Sequence, residues 1–503
     1  MATDQLPLRR RVARLGLLTA LLIGLTLALL AVAAWVAFRA EPKDIVGQFP
    51  LGVDDNVPSL SVILAAGAAM ASCFVGLAAL HTAAAMRVLA RDRRIPPPLS
   101  PELRRLRRMV LTPLGPAAVR LVNEPEPASG RLPDTTPPVP LRLTVLVPAH
   151  NETLTIGATL ESLWAQTRPP DKVVVVADNC TDDTPDVARQ HRAQVFTTVD
   201  NSDKKAGGLN QALSAMFPDI TSQDVVMVMD ADSIIVPEFL ATALGRMEAD
   251  PELIAVGGVF YGEEGAGLVG QLQCNEYTRY QRYIARRRGK VFVLTGTASL
   301  FRAYALKAVA DSRGELLPGN PGQVYDTLAM TEDNEMTLSL KSLGAKMISP
   351  MQCRVVTEIM PTWKALWRQR MRWQRGALEN IGAYGLTRAT LRYWLQQIGI
   401  GYGTLALNAY LLLLLITLLA ADSLEISLFW LAIGGIFVVE RVVTVWSIGW
   451  RGRLIALPLV IEVAYDLVLQ AVYIKSLFEI ATGRTAGWNY VPRTAVPGEA
   501  VKE

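Results

Sequence analysis

The chain has 503 residues, of which 51% are hydrophobic and 19% are charged, and its mean hydropathy is +0.26. It is too apolar for an ordinary soluble protein of this length and too charged to lie in a membrane throughout, so part of it must face water. Its formal net charge is only +4, which gives no global positive field and therefore predicts no nucleic-acid partner. The cysteines lack CxxC spacing, which indicates neither a zinc site nor a disulfide framework.

Long apolar runs near both ends of the chain predict membrane helices. They are Leu15 to Phe38, Leu60 to Thr82, Ile398 to Ala421 and Ser427 to Ile448, each close to the roughly 20 residues needed to span a bilayer. A cleaved signal peptide is the weaker interpretation of the first run. Arginines precede the first run and follow the second, whereas the loop between them carries a single lysine, so we expect the large segment from Arg87 to about Tyr393 to be cytoplasmic.

A further apolar run, from Arg453 to Arg484, is interrupted by Pro458, Glu462 and Asp466. Ionisable groups are costly at bilayer depth and should face the protein interior or a wet path. The sequence leaves open whether this run spans the membrane, re-enters it or lies at its surface. It also leaves open whether its acids, with Glu440 and Arg441, line a glycan path or form structural ion pairs.

Two proline-rich linkers flank the basic segment "LRRLRRMVL", for which we expect a helix lying on anionic lipid or a solvated helix. The sequence pattern changes at about Leu141. Valine-rich, strand-length runs such as "KVVVVAD" and "DVVMVMDAD" alternate with helical patterns such as "GGLNQALSAMF". This alternation predicts an α/β domain with a mostly parallel sheet. No GxGxxG follows the first strand and no P-loop motif occurs, which disfavours dinucleotide and P-loop folds.

Acidic residues follow the predicted strands, where α/β sheets bind ligands. Asp178 follows the second strand, and Asp230 and Asp232 follow the fourth, in "DAD". Such a carboxylate pair suits a hard cation whose shell substrate phosphates complete, so we expect Asp230 and Asp232 to bind Mg²⁺ or Mn²⁺.

The segment "TED", Thr331, Glu332 and Asp333, opens an amphipathic helical pattern. Its acids are typical of a helix N-terminus, and that interpretation is compatible with catalysis. A carboxylate beside an acceptor hydroxyl can remove its proton, which makes Asp333 a candidate general base.

The stretch "RQRMRWQRG" follows at Arg368 to Gly376. On a helix, Gln369, Arg372 and Trp373 share one face, where they could hold a diphosphate and stack on a sugar. The alternative is the basic and aromatic composition common at membrane interfaces. With the metal and Asp333, these residues would form a group-transfer site without a covalent nucleophile.

These motifs, in this order, resemble the D, DxD, TED and QxxRW signature of membrane-embedded family 2 glycosyltransferases, which include hyaluronan, cellulose, chitin-oligosaccharide and poly-N-acetylglucosamine synthases. The likeness covers roughly Leu141 to Gly385. It implies a cytosolic domain of the nucleotide-diphospho-sugar transferase type between N-terminal and C-terminal transmembrane helices.

The resemblance also implies roles for individual residues. The uracil and ribose contacts fall to Pro148, Ala149, Glu152 and Asp178, and Lys205 helps to hold the nucleotide. Asp230 and Asp232 bind the sugar nucleotide and metal, Glu332 and Thr331 accompany the base Asp333, and Gln369, Arg372 and Trp373 shape the diphosphate and acceptor sites. Gly296 belongs to the acceptor-lining segment "TGTASLFR", which departs from the family pattern at Thr297 and Ala298.

The tail "GWNYVPR", with Trp488, is loosely similar to the gating loop of hyaluronan-type synthases. A gating loop would have to be cytosolic, and residues 453–484 would then not cross the membrane as a simple span. The alternative is that residues 453–484 form a fifth membrane span and that the tail follows it. The predicted organisation is two membrane helices over 1–95, a linker over 96–140, the catalytic domain over 141–350, interface helices over 351–393, C-terminal membrane helices over 394–484 and the tail over 485–503.

The leading hypothesis is a processive, inverting, multi-pass cell-membrane glycosyltransferase that uses a UDP-sugar, extends a growing β-linked glycan among membrane lipids and passes it through its own helices. A runner-up transfers one sugar to a lipid acceptor. A remote alternative is a non-enzymatic transporter or scaffold. The sequence identifies neither the sugar nor any partner subunit.

Overall fold

The computed structural model describes residues 6–39, scattered positions between 68 and 84, and residues 140–420 and 428–484. The predicted linker and its basic segment, most of the second apolar run, and the tail with Trp488 lie outside these residues.

Within the described residues, ten strands form two sheets. They are β1 (Arg142–Ala149), β2 (Lys172–Ala177), β3 (Gln194–Thr197), β4 (Asp224–Met229), β5 (Ile234–Ile235), β6 (Leu253–Gly257), β7 (Val259–Gly262), β8 (Ala298–Arg302), β9 (Lys346–Ile348) and β10 (Arg354–Thr357). The larger sheet has the order β3-β2-β1-β4-β8-β6-β9, and the smaller one has the order β5-β10-β7.

The described helices fall into a set around the sheets and a set near the chain ends. The first set comprises α2 (Ile156–Trp164), α3 (Thr184–Gln190), α4 (Lys204–Met216), α5 (Phe239–Ala249), α6 (Gly267–Arg286), α7 (Ala303–Ser312) and α8 (Glu332–Ser342). The second comprises α1 (Leu6–Arg39), α9 (Trp363–Tyr384), α10 (Arg388–Ala420), α11 (Leu428–Thr444), α12 (Trp450–Ala456) and α13 (Val460–Thr482).

The predicted mostly parallel α/β sheet is confirmed. Strands β1, β2, β3 and β4 are mutually parallel where they pair. The exception is β8, which runs antiparallel between β4 and β6. The sequence predicted no strand here, because "ASLFR" is short and opens directly into a helix.

The central strands are buried on both faces, which explains their continuous apolar sequences. Along β1, Val145 and Val147 pack into the core on one face of the sheet, and Leu146 packs into the core on the other. Helices α2 and α5 cover the first face, and α4, α7 and α8 cover the second. Each fully buried side chain of this kind stabilises the fold by about 1.5–3 kcal/mol.

Helix α9 has well-defined ends. The side chain of Thr362 accepts a hydrogen bond from the backbone N–H of Ala365, 3.2 Å away, and caps its N-terminus. Its C-terminal end is Gly385, whose φ of +68° suits glycine. The helix expected to carry Gln369, Arg372 and Trp373 is therefore present, and 22 residues long.

Among the described residues, no single helix combines the length and apolar character needed to cross a bilayer. One pair, α12 and α13, meets those criteria together but is bent by 79° at the break that contains Pro458. The run from 453 to 484 is thus broken rather than straight.

Candidate active site

The candidate active site begins where β1, β2 and β4 end at one edge of the larger sheet. Because these strands are parallel neighbours, the segments that follow them emerge side by side. The backbone N–H of Asp178 donates to the carbonyl of Ala149 over 2.9 Å, and the carbonyl of Asp178 lies 2.7 Å from His150 Nδ1. The segments "PAHNE" and "ADN" are therefore in direct contact.

Asp178 is a buried carboxylate held in place by its neighbours. Its Oδ1 accepts hydrogen bonds from Thr198 Oγ1 at 2.8 Å, Asn201 Nδ2 at 2.7 Å and Asn179 Nδ2 at 3.2 Å. Thr198 and Asn201 follow β3, so three successive strand ends converge here. Sequence reasoning missed Thr198 and Asn201, although both stand at the predicted end of a strand.

Glu152 lies in the same region, at the turn before α2. Its backbone N–H donates to Thr184 Oγ1 over 2.8 Å, and its Oε2 accepts from Thr155 Oγ1 over 3.1 Å. Pro148 and Ala149 are the last two residues of β1. The structure therefore groups the residues expected to contact the nucleoside.

Asp230 and Asp232 follow β4 at the centre of this edge. The backbone N–H of Asp230 donates to the carbonyl of Thr297 over 3.1 Å, because β4 and β8 pair with Met229 opposite Ala298. The antiparallel strand β8 thus places "TGTA" beside "DAD". This contact could not be read from the sequence without knowing where β8 inserts.

Lys205, at the start of α4, joins two of the motifs. Its Nζ lies 2.6 Å from Asp230 Oδ1 and 2.8 Å from Glu332 Oε1. Burial alone would lower the pKa of Lys205, but the charges of Asp230 and Glu332 raise it well above its usual range. The lysine is therefore a permanent cation between "DAD" and "TED".

The pKa values of Glu332 and Asp333 are shifted in opposite directions. Burial alone would raise the pKa of Glu332, but the charge and hydrogen bond of Lys205 outweigh it, with a smaller contribution from Arg372, and the pKa is lowered. Burial, followed by the charge of Glu332, raises the pKa of Asp333 to about 6. Of the two adjacent carboxylates, Asp333 is thus the better proton acceptor near neutral pH.

Asp333 is fixed by two backbone amides. Its Oδ1 accepts from the N–H of Asn334 at 2.7 Å, and its Oδ2 accepts from the N–H of Gly296 at 3.2 Å. A cavity opens beside it, lined by Lys205, Leu209, Val228, Leu294, Thr295, Gly296, Ser299, Phe301, Tyr325, Glu332, Asp333 and Met336.

Thr331 occupies the N-cap position of α8, but its side chain makes no capping hydrogen bond. Instead, Asn380 Nδ2 on α9 donates to the carbonyl and the hydroxyl of Thr331, at 3.1 and 3.2 Å. A Cβ on Gly376 would lie 2.5 Å from Thr331 Oγ1, so the close packing of α9 on "TED" requires glycine there. The contacts of Thr331 are those of a residue that docks α9 on α8.

Gln369, Arg372 and Trp373 lie on α9 as expected. Arg372 is close enough to Glu332 to contribute to lowering the pKa of that carboxyl. Gln369 Oε1 accepts from Arg370 Nη1 at 2.8 Å, and the Arg370 guanidinium lies 4.3 Å from the centre of the Trp373 ring. Arg370, which sequence reasoning passed over, therefore contacts two residues of the QxxRW motif.

The residues at this edge fit a divalent cation. Burial, followed by the charges of Asp230, Glu358 and Glu152, raises the pKa of Asp232 to about 7, so negative charge is in excess around Asp232 although Lys205 pairs with Asp230. Within the described part of the chain, no three His, Cys, Asp or Glu side chains are grouped to hold a metal by themselves. This donor set matches a cation that takes its remaining ligands from substrate phosphates.

Comparison with known proteins identifies the domain. Residues 138–376 match the family described as "Glycosyltransferase like family 2". The poly-beta-1,6-N-acetyl-D-glucosamine synthase of Staphylococcus aureus (strain COL) is 25% identical over 245 residues, which cover 48% of this chain and 55% of that protein. The probable glycosyltransferase YdaM of Bacillus subtilis (strain 168) is 31% identical over 251 residues, covering 47% and 55%. The chain thus spans about half the length of these curated relatives.

Among solved structures, the mannosyltransferase PcManGT from Pyrobaculum calidifontis, in complex with GDP-Man and Mn²⁺, is 17% identical with a TM-score of 0.44, covering 83% of this chain and 100% of that one. Glucosyl-3-phosphoglycerate synthase from Mycobacterium tuberculosis is 19% identical with a TM-score of 0.32, covering 48% and 79%. Residues 138–376 of the chain thus match a family 2 glycosyltransferase domain.

Proposed function

We propose that this protein is a membrane-embedded, inverting glycosyltransferase that extends a β-linked polysaccharide from a UDP-sugar and moves the product across the membrane. The observation that carries the proposal is the meeting of Asp230, Glu332 and Asp333 around Lys205 at the carboxyl edge of the sheet. The 25% identity to a poly-N-acetylglucosamine synthase supports a hexosamine polymer as the product.

The transfer is a single displacement. Asp333 accepts the proton of an acceptor hydroxyl, the hydroxyl oxygen bonds to the anomeric carbon of the donor sugar, and the bond from that carbon to the diphosphate breaks. UDP leaves with the bonding electrons, and the configuration at the anomeric carbon inverts. The raised pKa of Asp333, about 6, suits a base that works near neutral pH.

The leaving diphosphate needs positive charge. Asp230 and Asp232 would hold Mg²⁺ or Mn²⁺, which neutralises phosphate charge when bound. Arg372, on the Glu332 side, would add a guanidinium, and Lys205 would keep Asp230 and Glu332 in place. Pro148, Ala149, Glu152 and Asp178 would contact the nucleoside, while Gly296, Gln369 and Trp373 would line the acceptor side.

Exposed apolar side chains support membrane embedding. Large hydrophobic residues on α1, α10 and α11 are more than half exposed, among them Leu21, Ile398, Leu412, Leu431 and Ile436. Surfaces of this kind need a lipid or protein partner. We propose that the 1–95 and 394–484 regions anchor the enzyme, with the 141–350 domain and the 351–393 interface helices on the cytoplasmic side and Trp488 in a gating tail.

The test is UDP release by the full chain in lipid nanodiscs, with a panel of UDP-sugars and with Mn²⁺ or Mg²⁺. We expect one UDP-sugar to be consumed in a metal-dependent way, and Asp232→Asn to lower the rate about 100-fold through weakened metal and diphosphate binding. Absence of UDP release with every donor and both metals would overturn the proposal.

Product size decides between polymer and single transfer. A long glycan is the expected product, whereas a glycolipid bearing one sugar as the sole product would replace polymerisation with single transfer to a membrane lipid.

A further inference from the structure

Arg370 sits inside the QxxRW segment and contacts two of its members. Its Nη1 donates to Gln369 Oε1 at 2.8 Å, and its guanidinium carbon lies 4.3 Å from the centre of the Trp373 ring. A planar guanidinium can stack on an indole with its faces while its edges donate hydrogen bonds. The orientation of Gln369 and Trp373 therefore depends on where this guanidinium is held.

From outside α9, Glu276 holds the guanidinium directly, Tyr465 holds it through Glu276, and the Tyr277 ring centre lies 5.7 Å from the guanidinium carbon. Arg370 Nη2 lies 2.8 Å from Glu276 Oε2 on α6, and the hydroxyl of Tyr465 on α13 donates to the same oxygen over 2.6 Å. Arg370 is 5% exposed and Tyr465 is 2% exposed, so both donors are buried, whereas the side chain of the shared acceptor Glu276 is 34% exposed. We call Tyr465, Glu276 and Arg370 the positioning triad.

The triad lies where three helices are bound firmly to one another. One turn from Tyr465 on α13, Glu462 is fully buried and lies 2.8 Å from Arg279 Nη2 on α6. Farther along, Arg375 on α9 lies 3.4 Å from Glu479 on α13. Helix α13 is thus attached to α6 and along α9, and its position determines where Tyr465 places the carboxylate of Glu276.

We propose that the positioning triad fixes Trp373 and Gln369 for the transfer step and so makes the C-terminal helix α13 part of the active site's support. Neither Glu276 nor Tyr465 belongs to a family motif quoted above, and Arg370 is the residue that links them to Gln369 and Trp373. The inference rests on the proposed function, because it assigns the triad to the acceptor side of that site.

The experiment measures kcat and KM for the UDP-sugar that gives the highest UDP release with the wild-type protein. Tyr465→Phe removes one hydroxyl and keeps the ring. We expect its kcat to fall about tenfold through misplacement of Trp373. KM for the UDP-sugar should change less than about twofold, because the nucleoside contacts lie at the ends of β1 and β2.

A double-mutant cycle separates positioning from general support. In a Trp373→Phe background, which keeps an aromatic ring, Tyr465→Phe should lower kcat less than about twofold, because its effect passes through Trp373. An equal loss of kcat in both backgrounds, or no loss in the single variant, would overturn the proposal. Glu276→Gln repeats the test; if neither variant can be purified folded, the triad is structural and the proposal fails.

Tyr473→Phe is the matched control. Tyr473 is a buried tyrosine on the same helix, and its hydroxyl hydrogen-bonds to His81 Nε2 at 2.6 Å and to the carbonyl of Gln397 at 3.3 Å. We expect kcat to stay within about twofold of the wild type, since neither contact of this hydroxyl is with a member of the positioning triad. Lack of UDP release by the wild type would overturn the proposed function, whereas wild-type turnover with an additive cycle would overturn only this inference.

Discussion

Two partly buried clusters of ionisable residues differ in how their charges are balanced. The sheet-edge cluster comprises Asp230, Asp232, Glu332, Asp333 and Lys205. The helix-junction cluster comprises Glu276, Arg279, Arg370, Arg441, Glu462 and Asp466. In the junction, each carboxylate has an arginine 2.8 Å away, whereas at the sheet edge one lysine contacts Asp230 and Glu332, with Arg372 near Glu332.

The difference separates a structural network from a site prepared for a ligand. A buried charge that is paired and hydrogen-bonded is stable as it stands, whereas an uncompensated carboxylate takes up a proton or a cation. At the sheet edge this shows as the raised pKa values of Asp333, about 6, and Asp232, about 7. Arg441 lies 2.8 Å from Asp466, 3.6 Å from Glu462 and 3.8 Å from Glu440, and a glycan path along these residues stays a prediction.

The substitution with the largest expected effect is Asp333→Asn, which tests whether the sheet-edge cluster is catalytic. If the sheet-edge cluster is catalytic, removal of the proton acceptor should lower kcat about 1,000-fold, within the usual range for a general base. The amide can still accept a hydrogen bond from a neighbouring backbone N–H, so the fold should persist. UDP release and thermal unfolding, measured on the same preparation, test both statements.

Asp311→Asn is the control for Asp333→Asn. Asp311 is exposed and pairs with Lys307 on α7 at 2.8 Å, so its kcat should equal that of the wild type. An Asp333→Asn protein that keeps more than about a tenth of wild-type kcat would exclude Asp333 as the base.

The converse test is Glu462→Gln in the helix junction. It leaves the partly buried Arg279 without its carboxylate, which should lower the free energy of unfolding by about 3 kcal/mol. Chemical denaturation in detergent measures the loss. Glu440→Gln is the matched control, because Glu440 is mostly exposed and 3.8 Å from Arg441. Equal unfolding of both variants would show that the junction is not a stabilising network.

The pH dependence of kcat should report Asp333. Because its pKa is raised to about 6 and the carboxylate form is the active one, kcat should be on a plateau above that pH and fall about tenfold per pH unit below it. Burial raises this pKa most, Glu332 and Asp230 raise it further, and the backbone N–H of Asn334 and Lys205 lower it; Tyr280 and Tyr325 also interact with Asp333. A flat kcat profile between pH 5 and 8 would contradict the assignment of the base.

Much of the sheet edge could be predicted from sequence because its motifs are local. Asp178, Asp230 and Asp232 directly follow valine-rich strands, and parallel strands bring their carboxyl ends to one edge. The helical spacing of Gln369, Arg372 and Trp373 was likewise sufficient to place them on α9. The roles assigned to these residues remain predictions.

The remaining contacts could not be predicted because they join distant segments. Strand β8 inserts antiparallel between β4 and β6, and only this insertion places Thr297 beside Asp230. In the sequence, Arg370 is one of several basic residues near a predicted membrane helix, and its partner Glu276 is 94 residues away along the chain. Pairings of this kind depend on tertiary packing, which no local pattern specifies.

The smallest expected effect on the free energy of unfolding comes from breaking an exposed ion pair. Comparing it with the breaking of a buried ion pair tests whether burial determines how much an ion pair stabilises the fold. Lys307→Met breaks the pair between Lys307 and Asp311, whose side chains are 40% and 41% exposed. Exposed pairs contribute little, so the free energy of unfolding should change by less than about 0.5 kcal/mol. Arg313→Met is the contrast, because Arg313 is 1% exposed and lies 2.7 Å from Glu335. We expect about 3 kcal/mol there, since a buried carboxylate is left unpaired. Similar losses in the two variants would show that pairing, and not burial, sets the energy.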